Sequence, residues 1–121
     1  MKYGFIKVAA AVPAVRVADV EYNVQEIEKL IAMADGDGVE LICFPELSLT
    51  GYTCQDLFKE KLLLEKSEVG LLRLLDFTRQ LDIVCVVGLP VQAGGLLLNC
   101  AAVIQGGALL GVVPKTSLPM N

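Results

Sequence analysis

The sequence contains no histidine and no tryptophan. Without histidine there is no Ser-His-Asp or Cys-His catalytic pair, no HExxH zinc site and no imidazole switch, so any proton transfer falls to a carboxylate, lysine, tyrosine or cysteine. Cysteine occurs four times, at Cys43, Cys54, Cys85 and Cys100, never as CxxC, and three of the four sit in apolar β-like runs. The expected state is reduced, buried thiols in a cytoplasmic protein. Basic clusters are lacking too. The formal charge is −4, with Lys and Arg scattered, which argues against nucleic acid as a partner.

Charge of either sign is absent from Ile83 to Pro114, and beyond Asp82 only Lys115 carries one. A membrane span needs about 20 uninterrupted apolar residues. Here Gly88-Leu-Pro90, Gly94-Gly95, Asn99, Gly106-Gly107 and Pro114 cut the run into shorter pieces, so no span is expected and these positions read as turn signals between strands. The amino terminus loosely imitates a signal peptide, but Lys7 and Pro13 interrupt its apolar run and Arg16 and Asp19 occupy the place of a neutral cleavage site. It reads as a buried first strand. Neither a P-loop nor a GxGxxG motif occurs, and nucleotide binding by these residues is not expected.

What is present is enough apolar material for a core: 121 residues, 55% hydrophobic and 20% charged, a composition that excludes intrinsic disorder and fits one globular unit or a piece of a larger one. A strand over Phe5 to Val12 precedes a helix over Val20 to Ala34, in which Val20, Val24, Ile27, Ile31 and Ala34 recur at helical spacing. A short strand, Glu40 to Phe44, stops at Pro45, and a polar loop follows to Asp56. Leu57 to Leu81 reads as two helical pieces divided near Ser67, with Leu71, Leu74, Leu75 and Leu81 turned inward. Ile83 to Leu89 is a β-branched run suited to a sheet covered on both faces. Leu96 to Gln105 and Ala108 to Val113 read as a hairpin closed by Gly106-Gly107. The order β-α-β-α-β-β-β describes an α/β fold with a parallel start and an antiparallel edge.

Two charges stand apart from the surface helices. Glu46 follows Ile42-Cys43-Phe44-Pro45 at the carboxyl end of a buried strand, where ligands bind in open α/β sheets. Lys115 also occupies a strand's carboxyl end, and the two could meet on one rim. Plainer readings compete: a Glu after Pro is commonly solvated, a Lys past a strand commonly guards an edge, and the pair could be a structural ion bridge.

The residues around them carry a resemblance. Phe44-Pro-Glu-Leu-Ser-Leu-Thr-Gly-Tyr52 resembles the glutamate motif of the nitrilase (carbon-nitrogen hydrolase) superfamily, and Gly111-Val-Val-Pro-Lys-Thr-Ser-Leu-Pro119 resembles its lysine motif. Val15-Arg-Val-Ala-Asp19 with Tyr22-Asn23, Asp56-Leu57-Phe58 and Asn99-Cys-Ala-Ala-Val-Ile104 are similar, more narrowly, to the glutaminase domains of glutamine-dependent NAD+ synthetases.

The resemblance implies an α-β-β-α sandwich and a Glu-Lys-Cys triad. Glu46 matches the general base and Lys115 the lysine that stabilises the oxyanion. Such a triad needs no histidine. None of the four cysteines matches the nucleophile, which in the family follows the lysine motif on a later strand. Tyr52 is a candidate to orient Glu46 or line the pocket, although a Tyr in such a turn is more often simply packed. Asp56 reads as a helix N-cap.

By the same resemblance, residues 1–121 are the amino-terminal portion of a glutaminase domain that releases ammonia from glutamine. They are expected to be inactive alone and to form a homo-oligomer or aggregate through exposed strands. They would need no cofactor, ATP and Mg2+ being confined to an absent synthetase domain. A fragment of a stand-alone amidase of the superfamily, or a non-catalytic module with the same fold, are the alternatives.

Overall fold

The computed structural model describes residues 6–51 and 57–118. Its elements are β1 (Val8–Ala10), α1 (Val20–Gly36), β2 (Leu41–Cys43), α2 (Leu57–Phe77), β3 (Val84–Ala93), β4 (Leu96–Gln105) and β5 (Ala108–Leu118), in the order expected from the sequence. They form one five-stranded sheet whose spatial order follows the chain. β1, β2 and β3 run parallel, whereas β4 and β5 return antiparallel.

Helix α1 begins at Asp19, whose carboxylate accepts the Tyr22 N–H at 3.1 Å and so satisfies one of the free amides of the first turn. Its apolar stripe is the expected one, with Val20, Val24, Ile27, Ile31 and Ala34 all buried. Each fully buried aliphatic side chain of this kind contributes about 1.5–3 kcal/mol through the water it sheds. Helix α2 crosses α1 at Gly70, where a β-carbon would lie 2.8 Å from Val20 Cγ1 and 3.0 Å from Val24 Cγ2. The expected break near Ser67 does not occur. The buried Ser67 hydroxyl donates to the Leu63 carbonyl one turn back at 2.8 Å, so its polar group is satisfied inside a continuous helix.

Both helices share one apolar cluster with Ile42, Cys85, Val87, Leu89, Ala102 and Ile104, which places them on the same face of the sheet. Strand alternation sends the intervening residues to the other face. There, Ala10, Cys43, Val86, Val103 and Gly111 form one cross-strand row. Val8, Cys43 and Val113 are exposed on this face, which no described element covers. The buried thiol expected at Cys43 is therefore corrected: β2 is buried on its helix side at Ile42 and open on the side where Cys43 points.

Strand β3 also corrects the sequence reading, because Gly88-Leu-Pro90 lies inside it and not at a turn. Gly88 turns its N–H and C=O away from β4, toward Ser48 and Leu49. By the same alternation Pro90 directs its nitrogen past the end of β2, so the missing N–H costs no ladder bond. The turns fall instead at Gly94-Gly95 and Gly106-Gly107. Both residues of the second pair have positive φ, +58° and +85°, as a two-residue hairpin loop demands. Among the described residues no helix is long and apolar enough to cross a membrane.

One buried polar residue ties the approach to α1 to the loop beyond β2. Asn23 is fully buried; its Oδ1 accepts the Arg16 N–H at 2.7 Å, and its Nδ2 donates to the carbonyls of Arg16 at 2.7 Å and Leu49 at 3.0 Å. Asn23→Ala leaves these buried backbone groups unsatisfied and is expected to lower the unfolding free energy by about 2 kcal/mol or more. The urea midpoint measures the loss, and a change within error would contradict this role.

Candidate functional site

Beyond Cys43 the chain stays against β3 for one more bond, from the Phe44 N–H to the Val86 carbonyl at 2.9 Å. It then passes over Gly88. A β-carbon there would collide with the Leu47 amide nitrogen and lie 2.8 Å from the Pro45 carbonyl oxygen and 3.0 Å from the Glu46 carbonyl carbon. Only a residue without a side chain permits this approach. The Gly88 N–H donates to Ser48 Oγ at 3.0 Å, and its carbonyl accepts the Leu49 N–H at 3.1 Å. Leu47 adopts φ +52°, a left-handed conformation uncommon for a side chain of this size, immediately after Glu46. Such strained positions cluster where a site has to be held in a set geometry.

This path delivers the Glu46 carboxylate to Asn99 on β4, whose Nδ2 donates to Glu46 Oε2 at 3.0 Å. Asn99 is 2% exposed and lies on the face opposite Ala102 and Ile104. A carboxylate can only accept, so the amide orientation is fixed: Nδ2 faces Glu46 and Oδ1 faces away. Asn99 Oδ1 is buried with no hydrogen-bond partner among the described residues. A buried acceptor left in that state costs about 1–3 kcal/mol.

Lys115 is an exposed residue inside β5, where the sequence reading had placed it past the strand's end. Asn99 pairs with Thr116 and Cys100 with Pro114, so Lys115 is the extra residue of a β-bulge beside Asn99. Bulges of this sort bend a strand and re-aim a side chain, often beside active sites. The structure thus sets Glu46 against the Asn99 amide, and the backbone of Lys115 on the strand that pairs with Asn99. They are not an ion pair: no salt bridge joins them among the described residues. Tyr52, Asp56 and Cys54 lie outside the described residues.

Sequence reasoning did not single out Asn99 or Gly88 as site residues. A lone amide within Leu96 to Ile104 was the available signal for the first, since a buried amide must find partners. Gly88 read as a breaker, because nothing in the linear sequence shows that a distant loop crosses it.

The cysteines with described positions offer no ready nucleophile near Glu46. Burial, with a smaller contribution from the negative charge of Asp35, pushes the Cys85 thiol up to about 12, and burial also raises that of Cys100. Both remain protonated near neutrality, and only a thiolate is an effective nucleophile. Among the described residues no cluster of three or more His, Cys, Asp or Glu is arranged to hold a metal ion. Two grooves, of about 790 Å³ between α1 and α2 and about 700 Å³ at the amino ends of β2 and β3, include none of Glu46, Asn99 or Lys115.

Comparison with known proteins finds a match to the carbon-nitrogen hydrolase family model over residues 7–120. The chain is 37% identical over 118 residues to the glutamine-dependent NAD+ synthetase of Mycobacterium tuberculosis, covering 98% of this chain and 17% of that protein. It is 36% identical over 100 residues to the synthetase of Rattus norvegicus, covering 83% of this chain and 14% of that protein. It therefore spans less than a fifth of the length of either relative. Among solved structures, the Acinetobacter baumannii glutamine-dependent NAD+ synthetase superposes with a TM-score of 0.81 at 33% identity, over 94% of this chain and 21% of that one. An amidase from Nesterenkonia sp. shares the fold, with a TM-score of 0.80 at 23% identity over 94% of this chain and 44% of that one.

Two outcomes test the geometry. Gly88→Ala forces the Pro45–Leu47 backbone off β3 and is expected to cost about 1–3 kcal/mol, read from the denaturation midpoint; unchanged stability would mean the crossing is loose. Alkylation at pH 8 followed by peptide mapping is expected to modify Cys43 readily and Cys85 only after denaturant is added, with equal rates contradicting the assignment. The folded chain holds the Cys85 proton more tightly than the unfolded chain, whose thiol titrates near 9, so this group's contribution to stability is complete below 9 and declines between 9 and about 12.

Proposed function

The chain belongs to the carbon-nitrogen hydrolase family, and from that premise we propose that Glu46 and Lys115 are the base and the oxyanion-stabilising cation of a glutamine-hydrolysing site that feeds ammonia to NAD+ synthesis. The observation that carries this reading is the Glu46 carboxylate, held by Asn99 at 3.0 Å and set beside the bulge that bears Lys115. The synthetase reading is favoured over the amidase one by sequence, 37% identity over 118 residues against 23% for the amidase.

In this reading residues 1–121 are the amino-terminal portion of a glutaminase domain. The nucleophilic cysteine, and a second sheet over the open face, come from elsewhere in the encoded protein. Glu46 accepts the thiol proton, and the thiolate attacks the side-chain carboxamide of glutamine. Negative charge moves onto the carbonyl oxygen, where the Lys115 ammonium stabilises it. The intermediate collapses as Glu46 returns the proton to the departing nitrogen, releasing ammonia and leaving a thioester. Glu46 then takes a proton from water, which attacks the thioester; glutamate departs and the thiol is restored. ATP and Mg2+ act at a separate site to which these residues contribute nothing. A cytoplasmic location and assembly into homo-oligomers complete the reading.

Glutamine-dependent and ammonia-dependent NAD+ formation by the full encoded protein separate the steps. Glu46→Gln is expected to lower the glutamine-dependent rate by about 10²–10⁴-fold, the usual weight of a general base, and to spare the rate with ammonium salts. Residues 1–121 alone are expected to release no ammonia. Glutamine-dependent activity that survives Glu46→Gln, or ammonia release by the 121 residues, would overturn the proposal.

A further inference from the structure

We infer that Asn99 is a positioning residue that holds the Glu46 carboxylate by Oε2 and so assigns proton transfer to the other oxygen, Oε1. This rests on the reading of Glu46 as the base of a glutaminase site. Three observations support it. Asn99 Nδ2 donates to Oε2 at 3.0 Å, and among the described residues no donor reaches Oε1. Asn99 is 2% exposed whereas Glu46 is an exposed residue, so the held oxygen is backed by a buried group and the carboxylate stays open to an incoming thiol. Asn99 Oδ1, the other end of the same amide, is a buried acceptor without a partner among the described residues. Stability accounts poorly for an amide kept in an apolar strand with part of its hydrogen bonding unmet, and such a group calls for a functional explanation.

The two contacts fix a flexible side chain at both ends. The Glu46 backbone is held where the loop crosses Gly88, and Asn99 holds the far end. An unheld glutamate would spread over several rotamers and present either oxygen. Held at Oε2, it keeps Oε1 in one place. Oε1 takes the thiol proton and returns it to the departing nitrogen; it later takes a proton from water and gives it back to the thiol, while Oε2 keeps its bond to Nδ2. A lysine or arginine in place of Asn99 would also grip the carboxylate, but its charge would favour the ionised form and weaken the base. The neutral amide orients the group without that penalty.

Asn99→Leu in the full encoded protein tests the inference, because it removes the donor to Glu46 together with the unmet acceptor at similar volume. The urea midpoint is expected to be no lower than that of the unmodified protein. Over the same change kcat for glutamine-dependent ammonia release is expected to fall by about 10²-fold, with KM for glutamine changed less than about threefold. A residue serving packing alone gives the opposite pattern, a lower midpoint with wild-type kcat, and that result would overturn the inference. Asn99→Asp keeps the shape and replaces the donor with an acceptor, so it is expected to lose at least as much kcat; wild-type kcat in this variant would likewise count against the role. A crystal structure of the unmodified full protein supplies a readout independent of activity. The nucleophilic sulfur is expected nearer the Glu46 oxygen that Asn99 does not hold, with Nδ2 within about 3.2 Å of the other. The reverse order, or an amide turned away from Glu46, would contradict it. Absence of ammonia release from the unmodified protein would mark the failure of the glutaminase reading itself, and the inference would fall with it.

Discussion

The approach of the Pro45–Leu47 backbone to Gly88 is the constraint on which the site depends. Two elements that are neighbours in the sheet, β2 and β3, ordinarily keep their side chains apart by the width of a pleat. Here β2 ends early and the chain beyond it lies on β3 itself, close enough that any β-carbon at Gly88 would collide. The contact is pinned on both sides: the Gly88 N–H and C=O are taken by Ser48 and Leu49, and the Leu49 carbonyl is taken in turn by buried Asn23. A carboxylate that would otherwise stand at the rim of the sheet is carried across one strand to Asn99. The left-handed backbone at Leu47 is the local strain that this path stores, offset by the surrounding bonds.

The two faces of the sheet divide the labour. The helix face supplies stability through one continuous cluster running from α1 and α2 to β4. The open face carries Glu46, Asn99 and the cross-strand row that includes Cys43, Val86 and Val103. The uncharged stretch from Ile83 to Pro114 makes sense in this arrangement, since it supplies β3 and β4, the middle of the sheet, and much of β5. Lys115, the charge that ends the stretch, sits where the β4–β5 ladder is broken by a bulge. The same burial that keeps Cys85 and Cys100 protonated removes them as nucleophiles.

Much of this was legible in the sequence where the controlling physics is local. The α1 stripe, the Gly106-Gly107 hairpin and the change from parallel to antiparallel pairing follow from helical period, the need for positive φ and strand length. The strand-end position of Glu46 was legible for the same reason. What escaped depended on contacts between distant segments. Ser67 read as a helix break, yet its hydroxyl is satisfied within α2. Pro90 read as a turn, yet β2 has already ended beside it. Cys43 was expected to be buried, but its side of the sheet is uncovered. The contact between Glu46 and Asn99 could not be read from the sequence at all, because it requires the loop that crosses Gly88.

Covalent trapping tests the central claim, that Glu46 serves as the base for a thiol that attacks glutamine, most directly. The full encoded protein is treated with an electrophilic glutamine analogue and the modified residue is located by peptide mapping. One adduct is predicted, on a cysteine outside residues 1–121, forming by about 10²-fold or more slower in Glu46→Gln. An adduct on Cys43, Cys54, Cys85 or Cys100, or a labelling rate indifferent to Glu46, would contradict the account.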